Sequence, residues 1–127
     1  MTSNAPPADI RAEDGEFHVE TQRVAPDMLI VEPRGQADLH TAPALREALS
    51  EAIESGGKVV VVDLSGVTFV DSMTLGVLLG AVKRLRQRGG ELRIIVDDPH
   101  VRRVFEITLL DRVFDLFRDR SLALRRD

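Results

Sequence analysis

In the stretch VTFVDSMTLGVLLG (67–80), Asp71 and Ser72 stand directly after an apolar segment and directly before an amphipathic run. This spacing puts the Ser72 hydroxyl at or next to the N-cap of a helix. Serine and aspartate are the commonest caps, so capping by itself accounts for the pair. A second observation keeps a binding site open. Met73, Val77 and Ala81 lie off the Leu78, Val82, Leu85 line, which leaves apolar surface beside Ser72 either facing outward or packed beneath neighbouring elements.

Other chemistry has thin support. His18, His40 and His100 are scattered, with no His-x-x-x-His or Glu-x-x-His spacing for a metal. The chain has no Cys, which removes disulfides, thiolate zinc, iron-sulfur clusters and a Cys nucleophile. No nucleophile elbow, phosphate loop or dinucleotide fingerprint occurs, and Gly56-Gly57-Lys58 precedes a strand, so it reads as a turn. Asp63 ends a strand as a phosphate-accepting aspartate would, but it lacks the extra carboxylate pair that magnesium needs. Neither Trp nor Tyr is present, so stacking platforms for single-stranded nucleic acid are missing. The charge of 17 minus 21, or -4, also argues against a polyanion partner. It is uneven: residues 1–82 hold 5 basic and 13 acidic side chains, and 83–127 hold 12 and 8.

The elements that must position Asp71 and Ser72 follow from periodicity. At 127 residues the chain fits one domain. Residues 1–16 are too poor in large apolar groups to fold and read as a flexible N-terminal tail, leaving 17–127 as the domain. Phe17, Val19 and Val24 mark a first strand, and MLIVEPRG (28–35) a second, where Pro33 points to an edge or a bulge. Thr41 is a cap candidate, with Pro43 in the first turn of a helix whose stripe is Ala44, Leu45, Ala48, Leu49, Ala52 and Ile53. KVVVVDL (58–64) is a strand buried on both faces. A helix runs from Ser72 to Arg88, ELRIIVD (91–97) is a strand, and Asp98-Pro99 opens a helix through VRRVFEITLL. VFDLF (113–117) is a short strand or turn, with a last helical piece near SLALRR. The alternation predicts an α/β domain with a mixed, mostly parallel sheet of four to five strands and about four helices, the first strand antiparallel. No window is apolar enough to span a membrane, and the N-terminus lacks a signal-peptide pattern, which points to the cytoplasm.

The run from VVVVDLSGVTFVDSMTLGVLLG through to VFDLF, with GQADLHTAPALREAL upstream, resembles the STAS domain of bacterial anti-sigma factor antagonists over about residues 17–120. The family motif D-S-[ST]-G-[LA]-G falls on Asp71-Ser72-Met73-Thr74-Leu75-Gly76, preceded by Asp63-Leu64-Ser65 and Phe69 and followed by Gly89-Gly90. Met73 stands where a small hydroxyl residue is usual and Thr74 where glycine is usual. The resemblance implies a regulatory switch and no enzyme activity. It makes Ser72 the phosphorylated residue and Asp38 the acidic loop residue near it. It also implies an anti-sigma factor serine/threonine kinase as partner, bound by the unphosphorylated form to release a sigma factor, and a metal-dependent serine phosphatase that resets the switch. ATP is then the kinase's substrate, and this chain needs no cofactor. The expected contact set is Asp38, Asp71, Ser72, Met73, Thr74 and Val77, on a monomer or small homo-oligomer. The alternatives are a STAS scaffold or sensor subunit in a larger signalling complex, where Ser72 or Thr74 only tunes packing, and a nucleotide-binding or catalytic α/β domain.

Overall fold

The computed structural model describes residues 17–126, so the tail expected at 1–16 lies outside the described residues. In chain order the elements are β1 His18–Ala25, β2 Met28–Ala37, α1 Ala42–Glu54, β3 Val59–Asp63, β4 Gly66–Val70 and α2 Ser72–Gln87. They continue with β5 Glu91–Ile95, α3 Pro99–Ile107, a 3-10 turn at Leu110–Arg112, β6 Asp115–Phe117 and α4 Arg120–Ala123. The strands form one sheet in the order β1-β2-β3-β5-β6, with β4 paired to β2. Among the described residues only β1 runs antiparallel to its neighbour. The mixed, mostly parallel α/β architecture expected from the alternation is present, but the sheet has six strands in place of four to five.

The extra strand is β4. Its burial does not alternate, because Val67 and Val70 are buried while Thr68 and Phe69 face solvent, so the two-residue period that marks a half-buried strand is missing. β4 also explains why β2 is longer than its sequence promised. Residues Met28–Val31 of β2 pair with Val59–Val62 of β3, and Arg34–Ala37 then pair with Gly66–Val70 of β4. Pro33 falls at the changeover, between the last pair with β3 and the first with β4, where this flank has no ladder partner. It therefore sits inside a central strand rather than on an edge, two residues ahead of the register shift at Gly35/Gln36.

The four consecutive valines of β3 are buried on both faces, as their unbroken β-branched run predicts. Val60 and Val62 join Leu45, Leu49 and Ile53 of α1, Leu78 and Leu85 of α2, and Phe105 of α3 in the main core. Phe105 meets Phe114 edge to face at 5.6 Å. Val59 and Val61 face the other way, with Met28, Ile30 and Ile95, beneath Ala123 of α4.

Polar ties close both layers. Arg84 donates to the Ser50 hydroxyl at 2.8 Å and Arg88 to the Ile53 carbonyl at 3.0 Å, pinning α2 to α1. On the second face, Arg93 donates to the carbonyls of Ala123, at 2.8 Å, and Arg125, and Arg126 pairs with Asp27. α2 ends at the glycine pair, where Gly89 has φ 75 and a Cβ on Gly90 would come within 2.3 Å of the Lys58 carbonyl oxygen.

Candidate functional site

The register of β2 on β4 builds the site. Ala37 pairs with Val70, and the Asp71 N–H donates to the Ala37 carbonyl at 3.1 Å. The segments beginning at Asp38 and Asp71 therefore leave the carboxyl ends of two parallel strands side by side. The Asp38 loop is locked internally. Its Oδ1 accepts from the His40 and Thr41 N–H groups at 2.9 and 3.2 Å, and its own N–H donates to the Thr41 hydroxyl at 2.8 Å. That hydroxyl donates to the Gln36 carbonyl at 2.9 Å. Thr41 holds the N-cap position of α1 without a side-chain capping bond, because its hydroxyl is spent on the loop.

At α2 the cap is Asp71. Its backbone is extended, at φ -113 and ψ -177, and its carboxylate accepts the Thr74 N–H at 3.1 Å. Ser72 is then the first helical residue, adjacent to the cap. It is exposed, and its hydroxyl makes no hydrogen bond among the described residues. The capping half of the sequence reading belongs to Asp71, which leaves the serine free for other work.

Burial separates the expected contacts into two groups. Asp38 and Asp71 are half-buried, Ser72 is exposed, and Met73 is 45% exposed, all at one end of the sheet. Val77 is only 5% exposed, packed in the main core, and Ala81 beside it is buried too. Thr74 is 0% exposed. These findings correct the expected surface: Thr74 and Val77 are packing residues, and of the off-line apolar side chains only Met73 faces outward. The Thr74 Oγ1 is buried and has no hydrogen-bond partner among the described residues. Of the two departures from the family motif, Met73 alone changes what the surface presents.

Sequence reasoning missed two exposed apolar side chains, Leu39 and Phe69. Both lie within two residues of the Ala37–Val70 pair. Phe69 sits in a run that reads as interior, and only the pairing of β4 outside the main strand order shows that it is exposed.

Asp63 has a structural role. It is 3% exposed, accepts the Ser65 N–H at 2.9 Å, and is bound by Arg120 at 2.8 Å, which also reaches Glu32 at 3.0 Å. Burial opposes its ionisation, but the hydrogen bonds from Ser65 and the Arg120 guanidinium outweigh this and hold the carboxyl below its ordinary value of 3.8. Among the described residues, no group of three or more His, Cys, Asp or Glu side chains is placed to hold a metal ion, and no helix is long and apolar enough to cross a membrane.

Comparison with known proteins agrees with this geometry. Residues 19–123 match the family model of the STAS domain. The chain is 40% identical over 82 residues to the anti-sigma-B factor antagonist of Listeria monocytogenes, spanning 65% of this chain and 72% of that one. It is 33% identical over 98 residues to the anti-sigma F factor antagonist of Paenibacillus polymyxa, spanning 76% and 84%. It is also similar to the crystal structure of an anti-sigma factor antagonist from Mycobacterium paratuberculosis, with a TM-score of 0.78, 27% identity, and coverage of 87% and 92%.

Proposed function

The chain belongs to the STAS domain family, and from that membership we propose that it is an anti-sigma factor antagonist switched by phosphorylation of Ser72. The unphosphorylated form binds an anti-sigma factor that is also a serine kinase, and so releases a sigma factor. Transfer of phosphate to Ser72 ends binding, and a metal-dependent serine phosphatase restores it. The protein acts by binding, in the cytoplasm, and ATP is consumed by its partner.

The observation that carries this reading is the exposed, unbonded Ser72 hydroxyl at the first position of α2, beside the capping Asp71. A kinase reaches such a hydroxyl without unfolding anything. The phosphate adds about -1.5 to -2 charges at the positive end of a helix, which stabilises it locally by about 0.3 to 1 kcal/mol, so the fold survives. Asp71 opposes it. At a charge separation of about 6 Å the repulsion runs from roughly 1 kcal/mol in a water-like medium to about 5 at an effective dielectric near 20. Covering the site with a partner moves it toward the second regime and adds the desolvation of the phosphate. Since 1.4 kcal/mol is about tenfold in affinity, binding weakens by two or more decades without rearrangement of the domain.

Calorimetric titration of the cognate anti-sigma kinase, loaded with ADP, with wild type, Ser72→Ala and Ser72→Asp tests the reading. Tight binding by the first two and loss of about a hundredfold in the third is expected. Equal affinity of wild type and Ser72→Asp, with Ser72→Ala inert, would contradict it.

A further inference from the structure

β2 changes partner within a short step. Val31 forms its last pair with Val62 of β3, and Arg34 its first with Gly66 of β4. Glu32 and Asp63 come directly after Val31 and Val62, so the same parallel register sets them opposite one another at this fork. Side chains alternate along a strand, so both point to the face that Ile30 and Val61 bury with Ala123 of α4. Two carboxylates thus stand side by side, with side chains only 16% and 4% exposed. Like charges directly opposite push strands apart, and more strongly out of water.

Arg120 answers both. Its Nε donates to Asp63 Oδ2 at 2.8 Å and its Nη2 to Glu32 Oε1 at 3.0 Å, so one guanidinium closes the fork. The other oxygen of each carboxylate reaches the start of β4. Asp63 Oδ1 accepts the Ser65 N–H at 2.9 Å, in the turn between β3 and β4. Glu32 Oε2 accepts from Arg34 at 2.7 Å, and the Arg34 stem lies over Gly66, where a Cβ would come within 2.9 Å of the Arg34 Cγ. Two contact paths therefore run from Arg120 and meet at Ser65 and Gly66.

What those two residues launch is the strand that carries the site. Among the described residues β4 pairs with β2 alone, and its far end leads into Asp71 and Ser72. We infer that Arg120 is a positioning residue for Ser72, acting from the opposite face of the sheet. By closing the fork it fixes the register of β4 on β2, and with it the bond from the Asp71 N–H to the Ala37 carbonyl. This rests on the proposed function and adds to it a control point in the C-terminal segment, remote from the phosphorylated residue. Without Arg120 the two carboxylates face each other with no shared cation, and the repulsion falls on the ladder that sets Ser72.

The test uses the full chain, ATP and the cognate anti-sigma kinase. It compares Arg120→Gln with Arg126→Gln, which loosens the same C-terminal segment at Asp27 and leaves the fork alone. Thermal unfolding fixes a temperature at which each variant is folded. If Arg120→Gln is not, Arg120→Lys, a point charge without the two-pronged fork, takes its place. Arg120→Gln is expected to accept phosphate at Ser72 about tenfold more slowly, with shifted amide resonances at Ser65, Asp71 and Ser72. Arg126→Gln is expected to match wild type in both. Adding Glu32→Gln to Arg120→Gln removes one of the facing charges and is expected to restore most of the lost rate. A tie that only stabilises the fold would leave the folded Arg120→Gln protein at the wild-type rate. That result, an equal loss in Arg126→Gln, or no recovery with Glu32→Gln would overturn the inference and leave the Ser72 reading intact. A wild type that accepts no phosphate from any cognate anti-sigma kinase would overturn both.

Discussion

Asp71 hangs from Ala37: its backbone N–H donates to the Ala37 carbonyl at 3.1 Å, so the residue that caps α2 is tied to the residue that precedes Asp38. One parallel register thus sets an acidic loop beside a helix start. It brings Asp38, Asp71 and Ser72 together although 33 residues of chain separate the first two.

The cap is separable from the charge. Asp71→Ala loses the bond to the Thr74 N–H and is expected to lower stability by about 1 kcal/mol in denaturant unfolding. Asp71→Asn keeps an equally good cap and should stay within a few tenths of wild type. In Ser72-phosphorylated protein the same Asp71→Asn change removes a neighbouring anion, so the second phosphate pKa, read by phosphorus NMR, should fall.

Thr74 carries a buried hydroxyl that no group among the described residues satisfies. Thr74→Val replaces it with a methyl of the same shape and is expected to stabilise the domain by about 1 kcal/mol, or roughly 4 °C in Tm for a domain of this size. A lower Tm would show that the hydroxyl is bonded in the native state.

The Asp63–Arg120 pair ties α4 to the end of β3. Arg120→Gln is expected to lower stability at neutral pH by about 1 to 2 kcal/mol, less than a fully buried pair because Arg120 is 41% exposed. The fold holds the Asp63 carboxyl below 3.8, so its ionised form contributes stability that is complete above the unfolded value and is lost as pH falls through the lower folded one. Asp63→Asn should therefore remove part of the acid limb of a stability-against-pH curve, below about pH 4.

Among the described residues Leu109 is the one non-glycine residue with positive φ, at 62, directly after the C-cap of α3, and its side chain is exposed. Leu109→Gly relieves that conformation with little packing to lose, and should raise stability by about 1 kcal/mol in the same unfolding assay. A fall would mean that the leucine packs where the geometry shows it exposed.

Much of this was legible in the chain. The four valines of β3, the stripe of α1 and the glycine pair after α2 declare their elements because period and punctuation agree. Asp71-Ser72 declared a helix start for the same reason. What could not be read depends on contacts remote in sequence. β4 is visible only through its pairing with β2, and Arg120 meets Asp63 across 57 residues. Whether Thr74 and Val77 face a partner or the core depends on where α1 lies against α2, which no local spacing reports.

The central claim is that phosphate on Ser72 alone switches binding. The most direct measurement is phosphotransfer from ATP by the cognate anti-sigma kinase, read as intact mass for wild type and Ser72→Ala, with the affinity of each product for that kinase. The account predicts a gain of one phosphate that Ser72→Ala abolishes, and at least hundredfold weaker binding by the phosphorylated protein. A phosphate that Ser72→Ala still acquires, or a phosphorylated protein that binds as tightly as before, would contradict it.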